Sequence, residues 1–116
     1  MIFGKSFNGH VQRGEKRGTA LGFPTVNIPL DDAEVSGIYA GKVIENGKSC
    51  VAAIFANQER KILEAYLFDF SGDLYGKEIT IELHKKIREA GVFTDDETLK
   101  VAIASDIQKV REYFSP

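Results

Sequence analysis

The stretch GIYAGKVIENGKSCVAAIF, residues 37–55, decides the fold because it sets two short apolar runs on either side of an Asn-Gly pair. The runs cover residues 37–44 and 50–55, and the pair between them is Asn46-Gly47. Asn-Gly in this position is typical of a type I′ hairpin turn, in which both central residues need a positive φ. The segment therefore predicts two antiparallel strands joined by a tight turn.

The strand pattern continues further along the chain. Another apolar run covers residues 62–70 and ends at Ser71-Gly72-Asp73, and apolar and polar residues alternate from Ile79 to His84. Such alternation is typical of a half-buried strand. About five or six strands are too much sheet for an open sandwich of this length, and closing the sheet would remove its exposed edges. We therefore predict a small antiparallel barrel.

The apolar period changes near the C-terminus, where apolar residues recur at steps of three or four and mark one face of an amphipathic helix. These residues are Leu99, Ile103, Ile107, Val110 and Phe114. Thr94 is predicted to cap the N-terminus of this helix, with Asp95 and Asp96 close to the positive end of its dipole. The sequence thus predicts one main helix after the sheet.

The composition fits one compact domain over residues 1–116, and no repeat, linker or low-complexity tract divides it. The 15 basic and 17 acidic residues give a formal charge of -2, so no global positive field would attract a nucleic acid or an anionic membrane. The only cysteine is Cys50, which excludes an internal disulfide and fits a reducing cytoplasm. No apolar run approaches the roughly 20 residues that span a bilayer. We expect a soluble, cytoplasmic protein without nucleic acid or membrane partners.

The segment 14–27 combines glycines and two basic side chains with the short polar side chains of Thr25 and Asn27. The residues concerned are Gly14, Lys16, Arg17, Gly18, Gly22, Pro24, Thr25 and Asn27. Glycines permit close approach of a ligand to the backbone, basic side chains neutralise phosphate oxygens, and Thr25 and Asn27 offer oxygens that suit a hard divalent cation. The combination predicts a site for a magnesium nucleotide. Its spacing matches neither a Walker loop nor a Rossmann fingerprint, so from spacing alone a glycine-rich surface loop with a turn at Pro24 stays open.

Glu64 lies in the apolar stretch ILEAYLF, residues 62–68, where its carboxylate has few polar surroundings. Burial raises the proton affinity of a carboxylate, whereas magnesium or a hydroxyl donor favours its ionised form. A carboxylate in such a balance can accept a proton from an attacking alcohol, which makes Glu64 the candidate general base. The alternative is a salt bridge with Arg60, Lys61 or Lys77.

Four other titratable residues are assigned structural roles. Asp69 and Asp73 border the Ser-Gly turn, where aspartate commonly accepts backbone hydrogen bonds. His10 and His84 are isolated from each other and from Cys50, so a hydrolase triad or a zinc site has little support. We expect both histidines to be ordinary strand residues.

Taken together, these residues resemble the riboflavin kinase family, which includes the kinase half of bifunctional FAD synthetases. The likeness runs from about Gly9 to Asp106, and its most specific part, residues 14–27, looks like the family's glycine-rich loop and Pro-Thr-x-Asn signature. Three further stretches are similar to the family's Gly-Val-Tyr strand, its catalytic strand and the turn that follows, namely residues 37–39, 63–70 and 74–77. The chain also resembles the family's flavin-side loop and terminal helix, at positions Ile87, Arg88, Phe93, Leu99, Ile103 and Asp106.

The resemblance implies a mainly β fold, a six-stranded antiparallel Greek-key barrel with a C-terminal α-helix. It also implies that ATP donates a phosphoryl group to the 5′-hydroxyl of riboflavin, which gives FMN. In that reaction Thr25 and Asn27 would hold Mg2+, and Glu64 would be the base. Arg88 and Phe93 would contact the flavin, with a surface salt bridge and a helix-packing anchor as their respective alternatives.

Three departures from the family pattern bear on activity. Lys16 stands where the family usually has glycine, residues 51–63 lack the family's Asn-Ile-Gly stretch and second Pro-Thr, and Ala90 stands where glutamate is common. A noncatalytic flavin- or nucleotide-binding module of the same fold stays open for this reason. A kinase acting on another alcohol also stays open, because the phosphate motifs describe the donor better than the acceptor.

The resemblance further implies the partners of the chain. We expect a monomer that binds riboflavin/FMN and ATP/ADP. Because the barrel and helix use nearly the whole of residues 1–116, we expect a separate adenylyltransferase to convert FMN to FAD.

Overall fold

Six strands and one helix make up the secondary structure of residues 4–12, 25–68, 74–89 and 95–115, which are the residues that the computed structural model describes. The elements are β1 (Lys5–His10), β2 (Thr25–Pro29), β3 (Gly37–Glu45), β4 (Lys48–Asn57), β5 (Ile62–Leu67), β6 (Glu78–Arg88) and α1 (Asp96–Phe114). Within these residues, no helix is both long enough and apolar enough to cross a membrane.

The six strands form one sheet in the order β1-β6-β3-β4-β5-β2, and every neighbouring pair is antiparallel. β3, β4 and β5 follow each other directly, and β6 returns to lie beside β3, which is the Greek-key arrangement. The sheet curls so that its two edge strands approach each other. Gln12, just after β1, forms an antiparallel bridge with Asn27 of β2. The predicted six-stranded antiparallel Greek-key fold with a C-terminal helix is confirmed.

The hairpin of residues 37–55 forms as the sequence predicts. β3 and β4 pair from Gly37 opposite Ala56 to Glu45 opposite Lys48. Asn46 and Gly47 make the turn with φ values of 50° and 80°. Both residues therefore lie in the left-handed region that a type I′ turn requires, and the pairing register of the longest hairpin is fixed by its turn.

The connection between β4 and β5 is a short turn over residues 58–61. Gln58 ties this turn to the chain after β2, since its Nε2 donates to the carbonyl oxygens of Asp32 at 2.6 Å and Val35 at 2.5 Å. The backbone N–H of Arg60 donates to Asn57 Oδ1 at 3.0 Å, and Lys61 has a φ of 57°. Residues 51–63, which depart from the family pattern, thus form most of β4, this turn and the start of β5.

Alternate residues of the strands face two separate apolar clusters. The inner cluster fills the barrel and contains Val26, Ile28, Tyr39, Val43, Ala52, Ile54, Ala56, Leu63, Ala65, Leu67, Ile79, Ile81 and Leu83 among its members. The outer cluster joins the opposite face of the sheet to α1, and its buried members are Ala40, Ala53, Tyr66, Phe68, Ile103, Ile107 and Val110. Helix α1 therefore covers one part of the outer face, over β3, β4, Tyr66 of β5 and the end of β6 at Arg88.

The N-terminus of α1 differs from the prediction. The N-cap is Asp95, whose backbone is extended and whose Oδ1 accepts from the N–H of Thr98 at 2.7 Å. This hydrogen bond lowers the pKa of Asp95 below its ordinary value. The prediction of Thr94 as the cap is wrong by one residue, because two neighbouring residues could both cap and only the extended backbone at Asp95 decides between them. Thr94 itself lies outside the described residues.

Gly41 is the position where β3 and β6 come closest. The register of this pair shifts between Ile38 and Tyr39 and again between Ala40 and Gly41. A Cβ added at Gly41 would lie 2.0 Å from the backbone oxygen of Glu82. Because backbone atoms of a paired strand cannot move aside easily, only glycine fits there without shifting β6.

We predict that Gly41→Ala lowers the free energy of unfolding by about 2–3 kcal/mol, since the added methyl group overpacks the β3–β6 pair. Urea denaturation followed by circular dichroism measures the change. The matched control is Gly4→Ala, because nothing lies within 4 Å of a Cβ at Gly4. Equal stability of the two variants would contradict the close approach at Gly41.

Candidate active site

The pairing of β2 with β5 brings the predicted metal-binding and catalytic residues together. Asn27 lies directly opposite Glu64, and Thr25 lies directly opposite Tyr66. Residues opposite each other in an antiparallel pair have Cβ atoms about 4.5–5.5 Å apart and side chains on the same face. Thr25 and Asn27 share that face because they are two residues apart on one strand. The structure therefore joins Thr25, Asn27 and Glu64 into one site.

This site is on the outer face of the sheet. The intervening residues Val26 and Ala65 belong to the inner cluster, whereas Tyr66 belongs to the outer cluster beneath α1. The side chains of Asn27 and Glu64 are nevertheless buried, with 4% and 9% of their surface exposed. A buried amide and a buried carboxylate side by side are unusual on a sheet face, and buried polar groups are concentrated at functional sites.

The side-chain oxygen of Asn27 is the most informative atom of the site. Oδ1 is buried and has no hydrogen-bond partner among the described residues. Leaving a buried acceptor unpaired costs about 1–3 kcal/mol, so such atoms in native proteins call for a ligand or a water molecule. An amide oxygen is a suitable ligand for a hard divalent cation, and the half-buried hydroxyl of Thr25 on the same face is another. The residues present thus fit Mg2+.

A metal ion at this position would need ligands from other molecules. Within the described ranges, no group of three or more His, Cys, Asp or Glu side chains is arranged to hold a metal ion. Two neutral oxygens bind magnesium weakly, and magnesium usually completes its shell with water and substrate phosphate oxygens. The site therefore suits a metal that arrives with a nucleotide.

The described residues that flank residues 13–24 lie next to Asn27. The N–H of Gln12 donates to the carbonyl oxygen of Asn27 at 2.8 Å, and Thr25 begins β2. The predicted nucleotide-binding residues between these ends, Gly14, Lys16, Arg17, Gly18, Gly22 and Pro24, lie outside the described residues. Their assignment stays a prediction, although the chain enters and leaves the segment beside the predicted metal ligands.

A groove of about 770 Å³ begins at Gln12, and no sequence motif predicts it. Residues 8–12 line one side of it, with Pro29, Asp31, Tyr75 and Gly76 around the rest. The backbone joins these walls, since Gly76 N–H donates to the carbonyl oxygen of Val11 at 3.0 Å. Tyr75 is 53% exposed. Its place in a Leu-Tyr-Gly turn was the available sequence signal, but the nearness of this turn to β1 could not be inferred from it.

A row of side chains that lie opposite one another crosses the outer face from Glu64, on the side away from β2. Glu64 lies opposite Phe55, Phe55 opposite Ile38, and Ile38 opposite Arg88. Asn27 lies opposite Glu64 on the other side, and the five residues together form the outer row, which crosses five strands. Since neighbouring strands are about 4.8 Å apart, the row is about 19 Å long. It connects the predicted metal ligand, the predicted base and a predicted flavin-binding residue.

Arg88 ends the outer row in an ion pair with helix α1. Its Nε and Nη2 donate to the two carboxylate oxygens of Asp106, each at 2.8 Å. The side chain of Asp106 is 6% exposed and that of Arg88 is 27% exposed. The hydrogen bond to Asp106 raises the pKa of Arg88 above its ordinary value, so the guanidinium stays charged. The flavin contact of Arg88 stays a prediction, and Phe93 lies outside the described residues.

Of the four titratable residues with predicted structural roles, the two histidines lie among the described residues and the two aspartates do not. His10 ends β1 and His84 lies within β6, where its Nε2 is 3.1 Å from Glu82 Oε1, so both are strand residues as predicted. Asp69 and Asp73 lie outside the described residues, and their structural roles stay predictions.

We predict that Asp106→Asn lowers the free energy of unfolding by about 2 kcal/mol, because it removes the charge that pairs with the partly buried Arg88. The pair of Lys86 with Glu89, whose carboxylate is exposed, supplies a control. Glu89→Gln should change stability by less than about 0.5 kcal/mol, as surface ion pairs usually do. Urea unfolding of both variants measures the difference, and a small effect of Asp106→Asn would contradict this anchoring role.

Comparison with known proteins gives the family of this arrangement. A protein-family model named Flavokinase, described as riboflavin kinase, matches residues 3–114. The bifunctional riboflavin kinase/FMN adenylyltransferase of Buchnera aphidicola from Acyrthosiphon pisum is 38% identical over 95% of this chain and 39% of its own length. The protein of the same name from Escherichia coli K12 is 36% identical over 94% of this chain and 38% of its own length. The chain therefore spans about two fifths of the length of these relatives.

Solved structures agree with the fold. The riboflavin kinase from Trypanosoma brucei superimposes with a TM-score of 0.70 and 26% identity, over 96% of this chain and 78% of that protein. A Streptococcus pneumoniae protein described as a macrolide-efflux protein superimposes with a TM-score of 0.76 and 23% identity, over 91% of this chain and 36% of that protein. The second likeness concerns the fold alone.

Proposed function

The chain belongs to the riboflavin kinase family, and on that premise we propose that it transfers the γ-phosphoryl group of ATP to the 5′-hydroxyl of riboflavin, which gives FMN. The observation that carries the proposal is the buried pair of Asn27 and Glu64, set opposite each other on the outer face. A metal ligand beside a general base is the arrangement that phosphoryl transfer to an alcohol requires.

Glu64 would act as the general base. In phosphoryl transfer the protein chiefly aligns donor and acceptor, and a carboxylate accepts the proton as the hydroxyl attacks. The burial of Glu64 keeps bulk water from the carboxylate, so the substrate hydroxyl would be its proton donor. The 5′-hydroxyl is a primary alcohol at the end of a flexible chain and can reach a carboxylate recessed in a sheet face.

Asn27 and Thr25 would hold Mg2+ together with the nucleotide phosphates. When bound, Mg2+ neutralises negative charge on the phosphoryl oxygens. The unpaired Oδ1 of Asn27 supports this assignment, because a metal ligand explains why a buried acceptor lacks a protein partner. The groove between residues 8–12 and Tyr75 includes Gln12, whose N–H donates to the carbonyl oxygen of Asn27, and it would accept the rest of the nucleotide.

Two other functions would use the same site. A noncatalytic module of this fold would bind flavin or nucleotide without turnover, and a kinase for another alcohol would leave riboflavin unchanged. The intact β2–β5 register and the ordered 58–61 turn support catalysis. A monomeric state and a separate FAD-forming adenylyltransferase remain predictions.

The direct test incubates the pure protein with riboflavin, ATP and Mg2+ and separates FMN by chromatography. We expect FMN to accumulate with time and to disappear when a chelator removes the metal. Calorimetric binding without turnover would support the noncatalytic module instead. Phosphorylation of a different polyol in an acceptor screen, with no FMN, would support the other kinase.

We predict that Glu64→Gln lowers kcat by between about a hundredfold and ten-thousandfold, because the amide cannot accept the hydroxyl proton. The exchange keeps the size of the side chain, so riboflavin binding and the far-ultraviolet circular dichroism spectrum should change little. The exposed Glu59, in the turn after β4, gives the control variant Glu59→Gln. Turnover of Glu64→Gln within a factor of about two of the wild type would reject Glu64 as the base.

We predict that Asn27→Ala raises the Mg2+ concentration for half-maximal activity about tenfold, because one metal ligand is lost. Its stability should fall little, since Oδ1 has no partner among the described residues to lose. Asn57→Ala is the control. It should lower stability and leave the Mg2+ requirement unchanged, because Asn57 Oδ1 accepts from the N–H of Arg60 in the turn. A Mg2+ requirement that is unchanged in Asn27→Ala and shifted in Asn57→Ala would contradict the metal site.

A further inference from the structure

A cavity of about 670 Å³ lies between the turn end of the β3–β4 hairpin and the C-terminal end of α1. Half of its described lining is apolar and consists of Val43, Val51, Leu67, Phe68, Leu74 and Phe114. The lining also includes Lys48, Ser49 and Arg111, which are exposed, so the cavity is open to solvent. Small-molecule sites in proteins typically enclose about 300–1,000 Å³ and combine a mainly apolar lining with a few polar groups. The cavity has the size and the lining of such a site.

This cavity is separate from the candidate active site. On β4 its lining ends at Val51, four residues before the residue that lies opposite Glu64, which is about 13 Å along the strand. On β5 its lining begins at Leu67, whose side chain belongs to the inner cluster, whereas Glu64 is on the outer face. Neither Asn27 nor Glu64 is part of its lining. The proposed function therefore assigns no role to this cavity.

Arg111 is the charged residue that lies against the apolar wall of the cavity. Its guanidinium carbon is 4.7 Å from the centroid of the Phe68 ring, a distance at which a cation and an aromatic ring attract each other. Within the part of the chain that the structure describes, Arg111 makes no hydrogen bond and no ion pair. A guanidinium presents its N–H groups as a fork that matches the two oxygens of a carboxylate or phosphate. Arg111 therefore offers unused donors to an anion in the cavity.

The other two charges of the lining oppose each other. Glu45 and Lys48 lie directly opposite each other as the last pair of the hairpin, and opposite charges in such a pair attract. The described lining thus has two basic residues, Lys48 and Arg111, against one acidic residue, which leaves one excess positive charge. The whole chain has a formal charge of -2. A local positive excess on an acidic protein favours an anion at this place.

We propose that this cavity binds a small amphipathic anion, whose apolar body contacts the apolar wall and whose carboxylate or phosphate contacts Arg111. Removal of apolar surface from water supplies affinity, and charge-assisted hydrogen bonds to the guanidinium select anions over neutral molecules. The inference does not depend on the proposed function, because it uses no residue of the candidate active site. Since the cavity lies between α1 and the β3–β4 hairpin, its occupant would contact both elements.

The first test uses three aromatic probes that differ in charge, namely naphthoic acid, naphthyl phosphate and naphthol, titrated into isotope-labelled protein at neutral pH. Backbone amide chemical shifts locate the binding and give its Kd. We expect both anions to shift the amides of residues 45–51 and 111–115 in a saturable way, and naphthol to bind roughly tenfold more weakly. Equal affinity for naphthol would overturn the anion preference. Shifts confined to residues 25–27 and 62–66 would place the anions at the candidate active site and overturn the inference.

The second test removes the charge with Arg111→Gln. We expect the Kd for naphthoic acid to rise roughly tenfold and the Kd for naphthol to stay unchanged, because only the anion uses the guanidinium. The matched control is Lys109→Gln, since Lys109 is an exposed basic residue of the same helix and is not part of the cavity lining. Lower stability of Arg111→Gln with an unchanged Kd would mean that Arg111 only compensates the helix dipole, and the inference would be wrong.

A third variant, Ser49→Trp, tests the location by filling the cavity. Ser49 is exposed and lines it, so an indole there should compete with the aromatic probes and raise the Kd for naphthoic acid by about tenfold or more. Ser6→Trp is the control, because Ser6 is an exposed serine on β1 outside the cavity lining. The same Kd in both variants would contradict binding in this cavity. Each measurement follows binding alone, so its outcome is independent of FMN formation.

Discussion

The antiparallel register between β2 and β5 sets Asn27 opposite Glu64, and the candidate site depends on this one pairing. Side chains on a strand alternate between two faces, so a shift of one residue would turn Asn27 into the barrel and Val26 outward. Such a shift is strongly disfavoured because Val26 and Ile28 fill the inner cluster. The apolar residues of β2 thus hold the polar ones in place.

Closure of the sheet ties the donor side of the site to the same strand. The bridge from Gln12 to Asn27 joins the two sheet edges at the residue that carries the unpaired oxygen. The described residues on either side of residues 13–24 are thereby both held at β2, Gln12 by its bridge to Asn27 and Thr25 as the first residue of the strand. On the acceptor side, the ion pair of Arg88 with Asp106 joins β6 to α1 at the far end of the outer row. The row is thereby held between two fixed ends.

Local features of the fold could be predicted from the sequence, and nonlocal ones could not. Asn46-Gly47 specifies its own turn, and the spacing of apolar residues specifies the helix face, because both depend on neighbours along the chain. The shared face of Thr25 and Asn27 follows from strand geometry in the same way. The cap was misplaced because Thr94 and Asp95 are both capable residues and the backbone angle that decides between them is set by packing.

The assembly of the site is the part that sequence alone leaves open. Glu64 could be identified as an unusual carboxylate, but its partner opposite depends on how β2 and β5 align. The outer row is still harder to predict from the sequence, since it depends on the registers of four strand pairs at once.

The most direct measurement is a crystal structure of the protein with ADP, Mg2+ and riboflavin, a complex that cannot turn over. We expect metal density in contact with Asn27 Oδ1 and the terminal hydroxyl of riboflavin within hydrogen-bond distance of the Glu64 carboxylate. A metal bound away from Asn27, or a riboflavin whose terminal hydroxyl lies away from Glu64, would contradict the proposed site.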